Sequence, residues 1–237
     1  MNIPTIEVHK HDPESQSTNQ FRKILAYGES GVGKTVFAST FPNPIFLDVD
    51  GGLSSVQTTV DYIRIESWGD LRKAFINLAY GEHSYQTVIL DSLNSIQDLA
   101  MYNTVDNFPQ IKRPYGDVPS ESDYRKLLYD FDKVINSFCK LADPMEKMHV
   151  VMTAFSTTRV FETDFVQPKL VGKASAQKVC QKMDIVGWMN REEVEAGILL
   201  PVIHFNERIH ISKDRTWKLP PAIIAPTFEK LNSFWRK

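Results

Sequence analysis

The chain is poor in cysteine. Its 237 residues hold two, Cys139 and Cys180, far apart and without metal-ligand spacing. That excludes a disulfide scaffold and a cysteine-built zinc site, and it reads as two free thiols of a reducing compartment. No apolar run approaches the length of a membrane span. The opening residues, MNIPTIEVHKHDPESQSTNQ, contain no apolar signal-peptide core. A cytoplasmic protein with no membrane partner is expected. Charge of one sign is also lacking: 27 Lys and Arg stand against 29 Asp and Glu, a net charge of −2. Any nucleic-acid contact would therefore need a local basic patch rather than a global field. The six histidines show no paired metal spacing, and no internal repeat is present.

What is present is an α/β pattern. Residues 1–20 hold two prolines and a Ser/Thr/Asn/Gln cluster with little apolar periodicity, and are expected to form a flexible arm. Residues 21–237 are expected to form one domain. Lys23–Tyr27 (KILAY) reads as a short strand, and TVFAST as a helix that stops before Pro42. Further strands are expected at Pro44–Asp50, Tyr62–Ile65, Thr87–Asp91, His149–Phe155, Asp184–Asn190 and Val202–Asn206. Between them, Leu71, Ala74, Phe75, Leu78 and Ala79 recur at helical spacing before Gly81. Tyr124, Leu127, Leu128, Phe131, Val134, Ile135 and Phe138 form a second, longer stripe. Strands alternating with helices predict a mainly parallel central sheet in a three-layer α/β/α sandwich, with the short late strands available for an antiparallel edge.

The most informative stretch lies between the first strand and its helix. Gly28-Glu29-Ser30-Gly31-Val32-Gly33-Lys34-Thr35 fits G-x-x-x-x-G-K-[ST], the P-loop or Walker A pattern. Glycines let backbone N–H groups wrap phosphate oxygens. The following helix adds its positive end. Lys34 supplies a cation for the β- and γ-phosphates, and the Thr35 hydroxyl is placed for Mg²⁺. A structural turn explains glycines but not a lysine and a hydroxyl directly after the last of them. Asp91 ends the apolar strand VILD and is the Walker B candidate. The strand delivers it to the carboxyl edge of the sheet, where α/β proteins bind ligands, and it would join Thr35 on the metal. Ser92 is free to cap the next helix. The Asp48–Gly51 segment (DVDG) has a GTPase look, but no N-K-x-D guanine-reading motif follows. The arginine-rich lid of small-molecule kinases is reduced to IKRP.

The order of these motifs resembles the RecA-like ATPases. An acidic strand end, IFLDVDGGL, follows the P-loop, and then come an Asp-Ser Walker B strand, a long helix and the strand HVVMTAF. The chain is also similar, from Phe21 onward, to phage-encoded RecA-like nucleotide-binding proteins of the single-strand annealing and recombinase type. PKLVGKASAQKVCQKMDIVGWM and LPPAIIAPTFEKL carry that part of the likeness. The resemblance implies ATP and Mg²⁺ as cofactors, ATP hydrolysis, and a homo-oligomeric ring or filament. Catalysis would fall to Lys34, Asp91 and Asp50, with Asp50 standing where the family has a water-activating glutamate. It also implies a trans-acting cation from a neighbouring subunit, with Lys169, Lys173, Lys213 and Arg215 as candidates. Two departures stand out. Asp50 is one methylene shorter than glutamate, and Phe155 occupies the place of a polar γ-phosphate sensor, for which Thr153 or Ser156 could substitute.

The resemblance places DNA-binding loops at 107–120, with Phe108, Lys112, Arg113 and Tyr115, and at 156–178, with Arg159, Phe161, Phe165, Lys169, Lys173 and Lys178. Backbone-tracking cations interleaved with aromatics suit single-stranded DNA, although Glu162 and Asp164 dilute the second patch. Three functions remain open on the residues: a DNA-stimulated ATPase in phage recombination, annealing or repair; an ATP-dependent loader or regulator acting on a single-strand-binding or replication protein; and a slowly turning nucleotide switch.

Overall fold

A computed structural model describes residues 21–108, 118–143, 148–157, 165–172, 174–205 and 209–236. The arm expected over residues 1–20 lies outside them, as do Lys112, Arg113, Tyr115, Arg159, Phe161 and Lys173.

The strands are β1 (Lys23–Gly28), β2 (Pro44–Asp48), β3 (Asp61–Arg64), β4 (Thr87–Asp91), β5 (His149–Ala154), β6 (Ile185–Glu195), β7 (Ile198–His204), β8 (Lys213–Asp214) and β9 (Ala222–Ile224). They form one nine-stranded sheet in the order β3-β2-β4-β5-β1-β6-β7-β9, with β8 also on β6. The run from β3 to β6 is wholly parallel, and β7, β8 and β9 add antiparallel edges. The helices are α1 (Lys34–Ser39), α2 (Trp68–Tyr80), α3 (Leu93–Asn107), α4 (Glu121–Lys140), α5 (Ser175–Lys182) and α6 (Phe228–Trp235). Among the described residues no helix is long and apolar enough to cross a membrane.

The central strands are apolar throughout because both faces are covered. Alternate side chains of β1 go to opposite layers. Leu25 and Tyr27 join a core built with Leu71 of α2, Ile96 of α3, Phe131 of α4 and Val179 of α5. Ile24 and Ala26 join a second core with Phe37 of α1 and Leu231 of α6. This is the three-layer sandwich the sequence predicts. The crossover helices start where their side chains supply caps. Ser67 accepts from the Asp70 amide at 3.2 Å ahead of α2. Ser120 and Asp123 form a reciprocal capping box ahead of α4, which satisfies two amides that a helix start leaves open.

The structure adds three helices that periodicity did not announce. In α3 the buried stripe includes Gln97 and Thr104 as well as Leu93, Ile96 and Ala100, so the apolar period is broken by polar residues with internal partners. The helices α5 and α6 are eight residues each, too short for a repeating stripe. The β6–β7 hairpin also runs beyond its expected ends, because its outer half is solvent-exposed and carries Glu193 and Glu195.

Candidate nucleotide site

The glycine loop leaves β1 in the middle of the parallel sheet, flanked by β5 and β6. Gly28 is needed for close approach: a Cβ built on it would lie 2.1 Å from the Met189 carbonyl oxygen of β6. Gly31 and Gly33 take φ of 78° and 98°, a left-handed backbone that favours glycine. Gly28→Ala is expected to lower the melting temperature by roughly 3–10 °C, the effect of about 1–3 kcal/mol of overpacking in a chain of this size. Thermal unfolding followed by circular dichroism reads the effect, and an unchanged transition would show that the loop and β6 can separate freely.

Gly33 is the N-cap of α1, and α1 itself has six residues. The helix-end field expected from sequence is accordingly that of a short helix, and the amides of the loop carry more of the anion-binding work. Lys34 is 8% exposed. Its Nζ donates to the carbonyls of Gly28 at 2.9 Å and Glu29 at 2.7 Å and lies 4.9 Å from the centre of the Phe155 ring. Burial pulls its pKa down to about 8, against the upward pull of Asp91, Asp50 and Glu29.

Asp91 reaches the same place from β4, two strands away. One carboxylate oxygen accepts from Thr35 Oγ1 at 2.8 Å and the other from Thr153 Oγ1 at 2.5 Å. Burial raises its pKa. Hydrogen bonds from Thr153 and Thr35 oppose the shift, Asp50 adds to it, and the Lys34 charge opposes it. A buried carboxylate with a raised pKa, beside a hydroxyl and below an anion-binding loop, is an incomplete charge balance that a divalent cation would complete. Two protein ligands also suit Mg²⁺, which keeps several waters and binds through substrate phosphates. The donor set therefore fits MgATP.

The family comparison agrees with that chemistry. Residues 20–219 match the family described as an AAA domain. The chain belongs to the AAA domain family. No curated protein matches it in sequence. Among solved structures, the flagellar accessory protein FlaH from Methanocaldococcus jannaschii aligns at 13% identity and TM-score 0.47, over 92% of each chain. A solved ATPase domain aligns at 10% identity and TM-score 0.46, covering 82% of this chain and 77% of that one.

Several expected residues of the AAA domain occupy positions the sequence did not foresee. Asp50 is exposed just past β2 and accepts from Ser92 Oγ at 2.9 Å. It is near enough to act on the charge of both Lys34 and Asp91. Ser92 is at the N-cap of α3, but its oxygen accepts from no helix amide; the hydroxyl is turned to donate to the Asp50 carboxylate. Asp98, in the second turn of α3, adds a third carboxyl, its pKa raised by burial and by Asp50. Thr153 is fully buried and committed to Asp91, which removes it as a γ-phosphate sensor. Ser156 stays close, its amide bonded to the Gly28 carbonyl at 3.2 Å.

Two of the four candidate trans-acting cations have structural work. Lys213 Nζ donates to the carbonyls of Cys180, Gln181 and Met183, and Arg215 bonds the Gln181 carbonyl and Asp184. Both close the C-terminal end of α5, which leaves open carbonyls as any helix does. Lys169 and Lys178 are exposed. Of the expected DNA-binding aromatics, Phe165 is 51% exposed, while Phe108 lies under the Lys126 ammonium, 4.0 Å from ring centre to Nζ.

Sequence reading missed Asn94 and Gln97 on α3. Asn94 Oδ1 accepts from the Phe155 amide at 2.9 Å, and its Nδ2 donates to the Lys169 carbonyl. Gln97 accepts from the Val171 amide at 2.7 Å and donates to the Val171 carbonyl at 3.2 Å. The available signal was two amide side chains in the first turns after the Walker B strand, on the face that α3 buries.

Proposed function

We propose that the protein binds MgATP on the glycine loop and hydrolyses it, and that single-stranded DNA stimulates the reaction in recombination, annealing or repair. The observation that carries the ATPase half is the meeting of Lys34, Thr35 and Asp91 at one end of the sheet, with Asp91 held by two threonine hydroxyls. Mg²⁺, held by Thr35 and Asp91, would supply positive charge against the phosphates. Loop amides and Lys34 bind and orient the triphosphate. Thr35 and Asp91 hold the metal side. Asp50 is oriented by Ser92 and accepts a proton from, or aligns, the attacking water. The Lys34 charge opposes the rise in the Asp91 pKa, and the resemblance to RecA-like ATPases suggests a second cation contributed by another copy in a ring or filament.

The DNA half rests on the resemblance to phage recombination ATPases, which also suggests a phage protein working in host cytoplasm, and on the exposed Phe165 within the second candidate loop. Phosphate release with and without single-stranded DNA tests it. The expected result is stimulation that falls steeply with salt. Stimulation only by a replication or single-strand-binding protein would instead favour a loader. Asp50→Asn is expected to spare ATP binding while lowering turnover about 10²-fold, within the range for a positioned proton acceptor. Unchanged turnover removes Asp50 from the reaction.

A further inference from the structure

A cleft of about 620 Å³ opens beside the glycine loop, against Glu29–Val32. Most of its wall comes from β6, on one side of β1, and it reaches across to Ser156 and Thr157 after β5; Asp91, on β4, is not part of it. Its volume is that of a small-molecule site. One wall is Trp188, which also packs on two histidine rings, His204 and His210, with centroids at 5.4 and 4.8 Å. Those contacts fix the indole in one orientation. Two residues further along the strand, on the same face, is the Asn190 amide, whose Nδ2 donates to Glu192 at 3.1 Å and whose Oδ1 lies 3.1 Å from His204 Nε2. These partners set which way the amide faces and leave it one N–H and one lone pair unused. Arg191 is exposed at the rim, and Thr157 closes the side toward β5.

We propose that this cleft holds the nucleoside half of the nucleotide whose phosphates the glycine loop cradles, with the base against Trp188 and its edge read by Asn190. The inference rests on the nucleotide reading above and adds the direction in which the ligand lies. The γ-phosphate end faces Thr35 and Asp91, so the ribose leaves the loop away from β4, and the cleft is what the described residues offer on that side. A rigid indole suits a planar base. A side-by-side amide donor and acceptor matches the amino group and ring nitrogen of adenine.

The test compares ATP with inorganic triphosphate by titration calorimetry in the presence of Mg²⁺. The wild type should bind ATP more tightly than triphosphate. Trp188→Ala should weaken ATP by about ten-fold or more, the worth of one base stack, and leave triphosphate affinity unchanged. Asn190→Ala, at a half-buried position, should show the same split with a smaller loss, and it decides the matter if Trp188→Ala does not fold. Equal affinity of the wild type for the two ligands, or ATP affinity untouched in a folded variant of the pair, overturns the cleft assignment while leaving the glycine loop as the phosphate site. Failure of the wild type to bind either ligand overturns the nucleotide reading itself.

Discussion

Lys34→Ala is expected to abolish ATP turnover and to weaken ATP binding by at least about 10²-fold, the scale measured when one preorganised donor to a developing anion is removed. The effect is large because Lys34 serves in two states. Without a ligand, its ammonium spans the carbonyls of Gly28 and Glu29 and so holds the two ends of the loop together. A bound phosphate would meet a cation that is only 8% exposed in the free protein, where its charge is little screened. Burial has already lowered its pKa to about 8, and a bound triphosphate would raise it again. The sign of the pH dependence follows. Below pH 8 the free protein already carries the proton and affinity is flat. Above pH 8 binding must take up a proton, so affinity falls as pH rises, by up to ten-fold per unit. Calorimetry in buffers of different ionisation enthalpy reads that uptake directly. Full turnover in the alanine variant, or affinity that climbs with pH, would contradict this account of the site.

Asp91→Asn is expected to uncouple binding from Mg²⁺. ATP affinity measured with the metal should fall to the level measured without it, and turnover should drop by about 10²-fold or more. The same variant should be no less stable than the parent. Burial raises the Asp91 pKa, so the folded protein bears the cost of an under-compensated charge, and the amide removes that cost. One threonine hydroxyl keeps the amide oxygen as its acceptor, and the other can turn to accept from the new N–H group. A loss of activity with a maintained or raised melting temperature separates a metal-side role from a packing role. A collapse in stability alongside lost activity would instead make Asp91 a structural residue.

The sequence was most legible where chemistry and periodicity coincide. The β1–glycine loop–α1 unit, the four apolar inner strands and helices α2 and α4 could be placed because strict alternation, continuous apolar runs or capped amphipathic stripes left few readings. The pairing of Thr35 with Asp91 followed from the P-loop pattern and the strand end. What remained hidden were contacts between segments far apart in the chain. Nothing local distinguishes Thr153 in HVVMTAF as the donor to Asp91, since that role depends on β5 lying between β1 and β4. The place of Ser92 depends likewise on where Asp50 comes to rest. Helix α3 escaped notice because Gln97 and Thr104 interrupt its buried face, and each is satisfied by a partner that only the fold supplies. The cleft beside Trp188 needed the β6–β7 hairpin, whose outer half leaves Val194, Ile198 and Leu199 exposed, so that apolar character there did not mark a buried strand.

Helix α3 begins directly behind Asp91, and through Asn94 and Gln97 it grips the chain at Phe155, Lys169 and Val171. Four hydrogen bonds worth about 2–6 kcal/mol in total join these parts. The chain on both sides of residues 157–165 is therefore tied to the helix that starts two residues after Asp91. A shift of Phe155 or of the Lys169–Val171 segment would thus strain bonds to the first turns of α3, right beside the Asp91 carboxylate.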